Sequence, residues 1–122
     1  MSKTPCIGPH EEIELELMRL NKKKVALFDF FPEEFKKPVE VGEIKLKIGL
    51  INHSILNRKV EVYIFFLPNE ESNADKLLNL IKLKLSSKKI DFDLERKIGL
   101  LLGYEHIDIE HYINYISRKE IR

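Results

Sequence analysis

The chain has 122 residues, of which 43% are apolar and 34% are charged. This length and this apolar fraction predict one globular domain with its own core. The 21 basic and 20 acidic residues nearly cancel, which excludes a general electrostatic attraction to nucleic acid or to anionic membranes. The longest apolar runs are too short to span a bilayer.

We expect a cytoplasmic protein, because residues 1–12 lack the apolar core of a signal peptide and the one cysteine, Cys6, has no internal partner for a disulfide. No internal repeat and no Gly/Ser-rich linker divides the chain. The predicted organisation is a single domain over 1–122. It has a flexible tail at 1–8, a part with a helix and antiparallel strands at 9–68, and a helical part at 72–118.

The N-terminal third predicts a helix, a strand and a loop. A proline followed by acids and closed by lysines favours a helix from Pro9 to Lys22. Ile13, Leu15 and Leu17 also alternate as in a strand, so this choice stays open. The aromatic run at 24–31 predicts a strand, and the two prolines within 32–42 predict a loop or an edge segment.

A β-hairpin is predicted in the middle of the chain. The first strand presents one apolar face, made of Ile44, Leu46, Ile48 and Leu50. Its partner presents Val60, Val62, Ile64 and Phe66, with residues 52–58 as the connection. Tyr63, Phe65 and Leu67 lie on the other face of the second strand, which indicates that this strand is covered on both sides.

Three helices are predicted after the hairpin. The first begins at a cap, Ser72 or Asn73, and runs to about Lys84. The others span 94–102 and 107–117. The predicted fold class is α+β, with a small antiparallel sheet of about three strands packed against an N-terminal helix and C-terminal helices.

The last two helices have the pattern of a helix-turn-helix. Gly99 is the small residue within the first helix, and Gly103 is the residue that opens the turn in a left-handed conformation. The predicted internal positions are Ile98, Leu102, Tyr104, Ile109 and Tyr112.

The charge of this hairpin argues against DNA reading. Residues 104–113 contain three acids and no Lys or Arg, whereas a recognition helix must present positive charge to phosphates. We therefore interpret the hairpin as a packing element that offers an interaction surface. Its candidate residues are Tyr104, Glu105, His106, Asp108 and His111.

Nucleic-acid binding stays an alternative through lysines elsewhere in the chain, with the helix-turn-helix-like hairpin as support. The candidate residues are Lys22, Lys23, Lys24, Lys82, Lys88 and Lys89. They would form a patch only if the fold brought the two groups together. Otherwise such lysines are the solvated faces of helices, with their stems lying over apolar surface.

A metal-dependent or thiol-dependent enzyme is the second alternative. His106, Asp108, Glu110 and His111 lie close in sequence, but one short helix cannot direct four ligands at one ion, so His10 or His53 would have to contribute. Cys6 lies in a predicted tail, where catalytic precision is rare. We predict no metal, no cofactor and no catalytic residue, and leave enzyme activity open.

The C-terminal half resembles an uncharacterised family of small bacterial proteins. The stretches "LLNLIKLKL" and "IGLLLGYEHIDIEHYI" carry the resemblance, through Ile98, Gly99, Leu102, Gly103, Tyr104, Asp108, Ile109, Tyr112 and Ile113. Glu105 stands where that family has a proline, and residues 95–97 stand where it has Pro-His-Glu. The resemblance implies a fold and a bacterial source, without an activity.

The leading hypothesis from the sequence is a non-enzymatic domain that binds another protein or a second copy of itself. Catalytic motifs are absent from the sequence. Apolar side chains are dense on both faces of residues 60–67 and around residues 98–102, so part of that surface is expected to serve a partner.

Overall fold

A computed structural model describes residues 13–121, with side chains for 13–118. Its architecture is α+β, which confirms the predicted fold class. The elements are α1 (Glu14–Arg19), β1 (Val25–Phe28), a 3-10 helix (Glu33–Phe35), α2 (Lys36–Glu40), β2 (Lys45–His53), β3 (Arg58–Phe66), α3 (Glu71–Ser86), α4 (Phe92–Leu101) and α5 (His106–Ile121). Within the described range, no helix is long and apolar enough to cross a membrane.

The three strands form one antiparallel sheet in the order β1-β3-β2. At one end Phe66 of β3 lies between Val25 and Lys45, and we call this end the base. At the other end residues 54–57 turn the chain from β2 into β3, and we call this end the tip. The predicted hairpin is confirmed, with a connection shorter than the one predicted.

One face of the sheet, the helical face, packs against α3 and α4. The buried cluster there combines strand and helix residues: Val25, Ile51, Val62, Ile64, Phe66, Ala74, Leu77, Ile81, Ile98 and Leu102. It includes Ile51, close to the tip, so the helices cover this face along most of its length.

The other face, which we call the aromatic face, packs against α1, the 3-10 helix and α2. Its buried cluster consists of Met18, Ala26, Phe35, Ile44 and Phe65. The Phe35 and Phe65 ring centroids are 4.4 Å apart, and Phe31 meets Phe65 edge-on at 5.3 Å. All these sheet residues belong to the half of the sheet nearest the base.

Residues 33–40 of the segment 32–42 are helical, so the predicted loop was wrong. The loop was predicted partly from Pro38, because proline is typical of irregular segments. Pro38 is the third residue of α2, in the first turn, where a backbone N–H has no intrahelical acceptor and a proline costs little. Gly42 follows with φ +82°, the left-handed conformation that ends the helical segment.

The predicted N-terminal helix is confirmed within the described residues, and the strand alternative is wrong there. α1 is short because Asn21 takes φ 60° directly after it. Arg19 donates from Nε and Nη2 to the Glu43 carboxylate at 2.8 and 3.0 Å, which ties α1 to the start of β2. The predicted start at Pro9 lies outside the described residues.

The predicted cap of α3 was wrong, and the predicted roles of the two glycines in the helical hairpin are confirmed. α3 starts at Glu71, and Asn73 donates to the Glu70 carboxylate at 2.6 Å instead of capping. Gly103 has φ +84°. A Cβ on Gly99 would lie 2.8 Å from Cγ1 of Ile109, so α4 and α5 approach closely at this glycine.

Candidate interaction surface

The outer edge of β2 has no partner strand among the described residues. β2 is nine residues long, which corresponds to roughly 30 Å of extended backbone. An edge of this length presents a row of backbone N–H and C=O groups that can pair with another chain. The opposite edge strand, β1, has four residues.

Two aliphatic side chains beside this edge are exposed on the aromatic face. Along that face, Ile44, just before β2, is 1% exposed, whereas Ile48 is 52% and Leu50 is 60% exposed. The predicted apolar face is therefore correct at the base and wrong towards the tip. The reason is the reach of the covering layer, since α1, the 3-10 helix and α2 pack only over the base half.

The buried positions in the tip half of β2 lie on the helical face instead. Gly49 and Ile51 are buried there. A Cβ on Gly49 would lie 2.6 Å from Cδ1 of Leu78, so α3 sits directly on the strand at this point. Sequence reasoning missed this because a glycine carries no hydropathy signal of its own.

α3 follows β2 in the same direction. Near the base, Lys47 forms a salt bridge with Asp75 and lies 3.7 Å from Glu71. Further on, Leu78 lies over Gly49. Near the tip, the Ser54 N–H donates to the Leu85 carbonyl at 2.8 Å. Because α3 also shares the buried cluster with β3, it lies over both strands.

The side of α3 nearest the edge carries both signs of charge. Asp75, Leu78 and Lys82 are spaced by three and four residues, which places them on one face of the helix. Between this face and β2 lies a groove of about 570 Å³, lined by Leu50, Ile51, Asn52, Asn79, Lys82, Leu83 and Ser86. The acid lies towards the base and the lysine towards the tip.

The predicted interaction residues of the C-terminal hairpin are divided between two environments. Tyr104 and Asp108 are half-buried and line a cavity of about 310 Å³, whereas Glu105, His106 and His111 are exposed. The cavity lies between β1, α3, α4 and α5, and its lining is mainly apolar. Their role in an interaction stays a prediction.

The same cavity contains an ion pair that the sequence did not indicate. Lys84 Nζ lies 3.3 Å from Glu95 Oε1, and the Glu95 side chain is only 7% exposed. The residues are eleven apart on different helices, so no local spacing rule could have joined them. The pair holds α3 against α4 near the loop that connects them.

Lys23 is a buried residue rather than a surface cation. It is 2% exposed, its Nζ donates to the Leu102 carbonyl at 2.5 Å, and it lies 5.0 Å from the centroid of the Tyr104 ring. Burial lowers the pKa of Lys23 to about 8, while the nearby Glu14 carboxylate acts in the opposite direction. This lysine is therefore not available to contact phosphate.

The other predicted nucleic-acid residues lie at opposite ends of the sheet. Lys22 and Lys24 are exposed just before β1 at the base. Lys82, Lys88 and Lys89 are exposed on or after the part of α3 that ends beside the tip. The fold does not merge the two groups into one basic patch, which removes the premise of the nucleic-acid alternative.

Between residues 13 and 121, no three side chains from His, Cys, Asp and Glu lie close enough to hold a metal ion. Glu110 of the imagined metal set instead accepts a hydrogen bond of 2.8 Å from Nε of Arg96. Cys6 and His10 lie outside the described residues.

The chain matches no family model, no curated protein and no solved structure in comparisons with each. The resemblance to a bacterial family and the cytoplasmic location therefore stay predictions.

Proposed function

We propose that the protein is an interaction module that assembles as a symmetric dimer by pairing β2 of two copies. The observation that carries the proposal is the open nine-residue edge of β2 with exposed Ile48 and Leu50 beside it. Antiparallel pairing of two such edges would satisfy the outward backbone groups and give one six-stranded sheet.

The sequence of β2 is self-complementary about Gly49. With the two-fold axis at this residue, Ile48 of each copy lies opposite Leu50 of the other. The four aliphatic side chains then share one face and cover one another from water. A register shifted by one residue would place Ile48 opposite Gly49 or Ile51 and lose these pairs.

The helices on the other face fit the same axis. Strands pair about 4.8 Å apart, and α3 lies over both β2 and β3, so two α3 helices would lie roughly 10 Å apart, a usual packing distance. They would run antiparallel about Leu78, which lies over Gly49. Asp75 of one copy then faces Lys82 of the other, with opposite charges at both ends of the contact.

The lysines of β2 do not protect the edge as edge lysines often do. Lys47 is half-buried, and its charge is balanced by Asp75 and Glu71. Hydrogen bonding to Asp75 raises the pKa of Lys47. Lys45 is exposed at the base end, where the proposed pairing leaves it in contact with water.

Light scattering coupled to gel filtration tests the proposal directly. We expect the wild type to have the mass of two chains. Leu50→Lys should give a single chain, because it places a charge at the centre of the apolar contact.

Leu100→Lys is the matched control, since Leu100 is 50% exposed on α4 and lies away from β2. It should remain a dimer. A wild type with the mass of one chain, or equal dissociation of both variants, would contradict the proposal.

A further inference from the structure

A second groove lies between α3 and α4, on the outside of the molecule. It encloses about 430 Å³ and is lined by Lys76, Asn79, Leu80, Lys97, Leu100 and Leu101. The two helices run antiparallel here, because Lys84 meets Glu95 near their connecting loop while Lys76 and Leu101 lie at the far end. Leu100 projects from this region with half of its surface exposed.

The rim of this groove carries positive charge that no side chain within residues 13–118 balances. Lys76 and Lys97 form no ion pair with any described residue, and the lining contains no acid. Two other cations on the same helices are paired, Lys84 with Glu95 and Arg96 with Glu110 at 2.8 Å. An apolar groove flanked by unpaired lysines is thus a distinct feature of this surface.

We propose that this groove binds an amphipathic helix of a partner protein, with an apolar stripe flanked by acidic residues. Two antiparallel helices leave a furrow that accepts the side-chain ridge of a third helix. The leucines would take apolar residues at helical spacing, as in other grooves that bind a helix. Acids beside the stripe would meet Lys76 and Lys97, which selects the partner by charge.

The inference rests on the proposed role as an interaction module, and it does not depend on the dimer. Lys76 and Leu80 occupy a different face of α3 from Asp75, Leu78 and Lys82, which face the β2 edge. Asn79 is the one lining residue that also borders the groove beside β2. The groove therefore stays accessible whether β2 is paired or open. Each proposal can fail while the other holds.

The test uses two labelled peptides of about 18 residues, a length sufficient for partial helicity. Both have a leucine stripe, flanked in one by glutamates and in the other by lysines. Fluorescence anisotropy should show saturable binding of the glutamate peptide to the wild type and roughly tenfold weaker binding of the lysine peptide. The Lys76→Glu/Lys97→Glu variant should reverse this preference.

Two further variants locate the binding. Leu100→Asp should weaken the glutamate peptide by roughly tenfold or more, because it places a charge in the groove and repels the flanking acids. Leu50→Lys, which lies on β2, should bind as the wild type does even when it is monomeric. All altered side chains are at least partly exposed, and circular dichroism checks that each variant is folded.

Mapping by NMR on the wild type provides a readout that needs no variant. The glutamate peptide should shift the amide signals of Lys76, Leu80 and Leu101 and leave those of β2 unchanged. Three results would overturn the inference: no saturable binding, equal binding of both peptides, or shifts confined to residues outside the groove.

Discussion

The helices cover the two faces of the sheet to different extents. The exposure of the side chains along β2 shows this difference. On the helical face, α3 follows β2 from Lys47 to the tip and buries Gly49 and Ile51. On the aromatic face, the exposed fraction rises from 1% at Ile44, just before β2, to 52% at Ile48 and 60% at Leu50. β2 is therefore covered on both faces near the base and only on the helical face towards the tip.

The covered residues stabilise the fold, whereas the exposed residues towards the tip remain accessible to a partner. A long helix of sixteen residues covers the helical face, whereas short helical segments of six, three and five residues cover the aromatic face. Short segments cannot reach the tip. The uncovered aliphatic side chains lie beside the only long open edge in the described chain, which is why we propose an interaction there.

The largest effect is expected at the covered end of the aromatic face. Phe65→Ala should lower the free energy of unfolding by about 3–5 kcal/mol, because Phe65 is fully buried among the rings of Phe35, Phe31 and Phe28. Urea unfolding measures it. Ile48→Ala should change the free energy of unfolding by about 0.5 kcal/mol or less, when it is measured in dilute protein where any dimer has dissociated. If the two substitutions lowered the free energy of unfolding equally, the contrast between base and tip would be contradicted.

The next largest effect is expected at Lys23, whose protonation makes the free energy of unfolding depend on pH. Its pKa is lowered to about 8 in the folded protein from 10.5. Below about pH 8 Lys23 is protonated in both the folded and the unfolded protein, and above about pH 10.5 it is deprotonated in both. Between these values the unfolded protein binds more of this proton than the folded protein does. The free energy of unfolding therefore rises with pH in this range. The rise is on the order of 3 kcal/mol by the size of this pKa change.

Urea unfolding of wild type and Lys23→Met between pH 7.5 and 10.5 checks this effect. The difference between the two proteins isolates Lys23 from the other lysines. The wild type should gain stability relative to the variant as pH rises. A constant difference across this range would show that burial does not perturb Lys23.

Gly49→Ala probes how closely α3 packs on β2. The new Cβ would lie 2.6 Å from Leu78 and 3.2 Å from Val62, so these side chains must shift, at a cost of about 1–3 kcal/mol. Gly42→Ala is the control, because nothing lies within 4 Å of its Cβ and only its φ of +82° is strained, at about 1 kcal/mol. Adding Leu78→Ala should rescue Gly49→Ala and leave Gly42→Ala unchanged.

The smallest effect is expected at the Arg96–Glu110 pair, which joins α4 and α5 on the exposed outer surface. Hydrogen bonding to Arg96 holds the pKa of Glu110 below its usual range. Its contribution is therefore lost as pH falls through that lowered pKa. Glu110→Gln should shift the thermal midpoint only slightly, and more at low salt than at high salt. A large, salt-independent shift would mean that the pair anchors the hairpin.

Much of the fold could be predicted because its signals are local. The alternation in β2 and β3 and the glycines of the C-terminal hairpin each specify their own element. The segment 32–42 could not be predicted, since Pro38 is equally typical of a loop and of a first helical turn. That one error concealed which part of the aromatic face would be covered.

The candidate surface was less predictable than the fold. Apolar alternation identified Ile48 and Leu50 as members of a face, but their exposure depends on where a separate layer ends. Lys23 looked like its neighbours Lys22 and Lys24 in sequence, and only the approach of Leu102 and Tyr104 shows that it is buried. Contacts between segments that are distant in sequence leave no local pattern from which the burial of a side chain could be predicted.

The most direct measurement of the central claim is an isotope-filtered NOE experiment on a mixed sample of labelled and unlabelled protein. It detects contacts only between different copies of the chain. We expect cross-peaks between the Ile48 side chain of one copy and the Leu50 side chain of the other, as the register about Gly49 requires. A dimer whose intermolecular cross-peaks come from other residues, or a protein without any at NMR concentrations, would contradict the account.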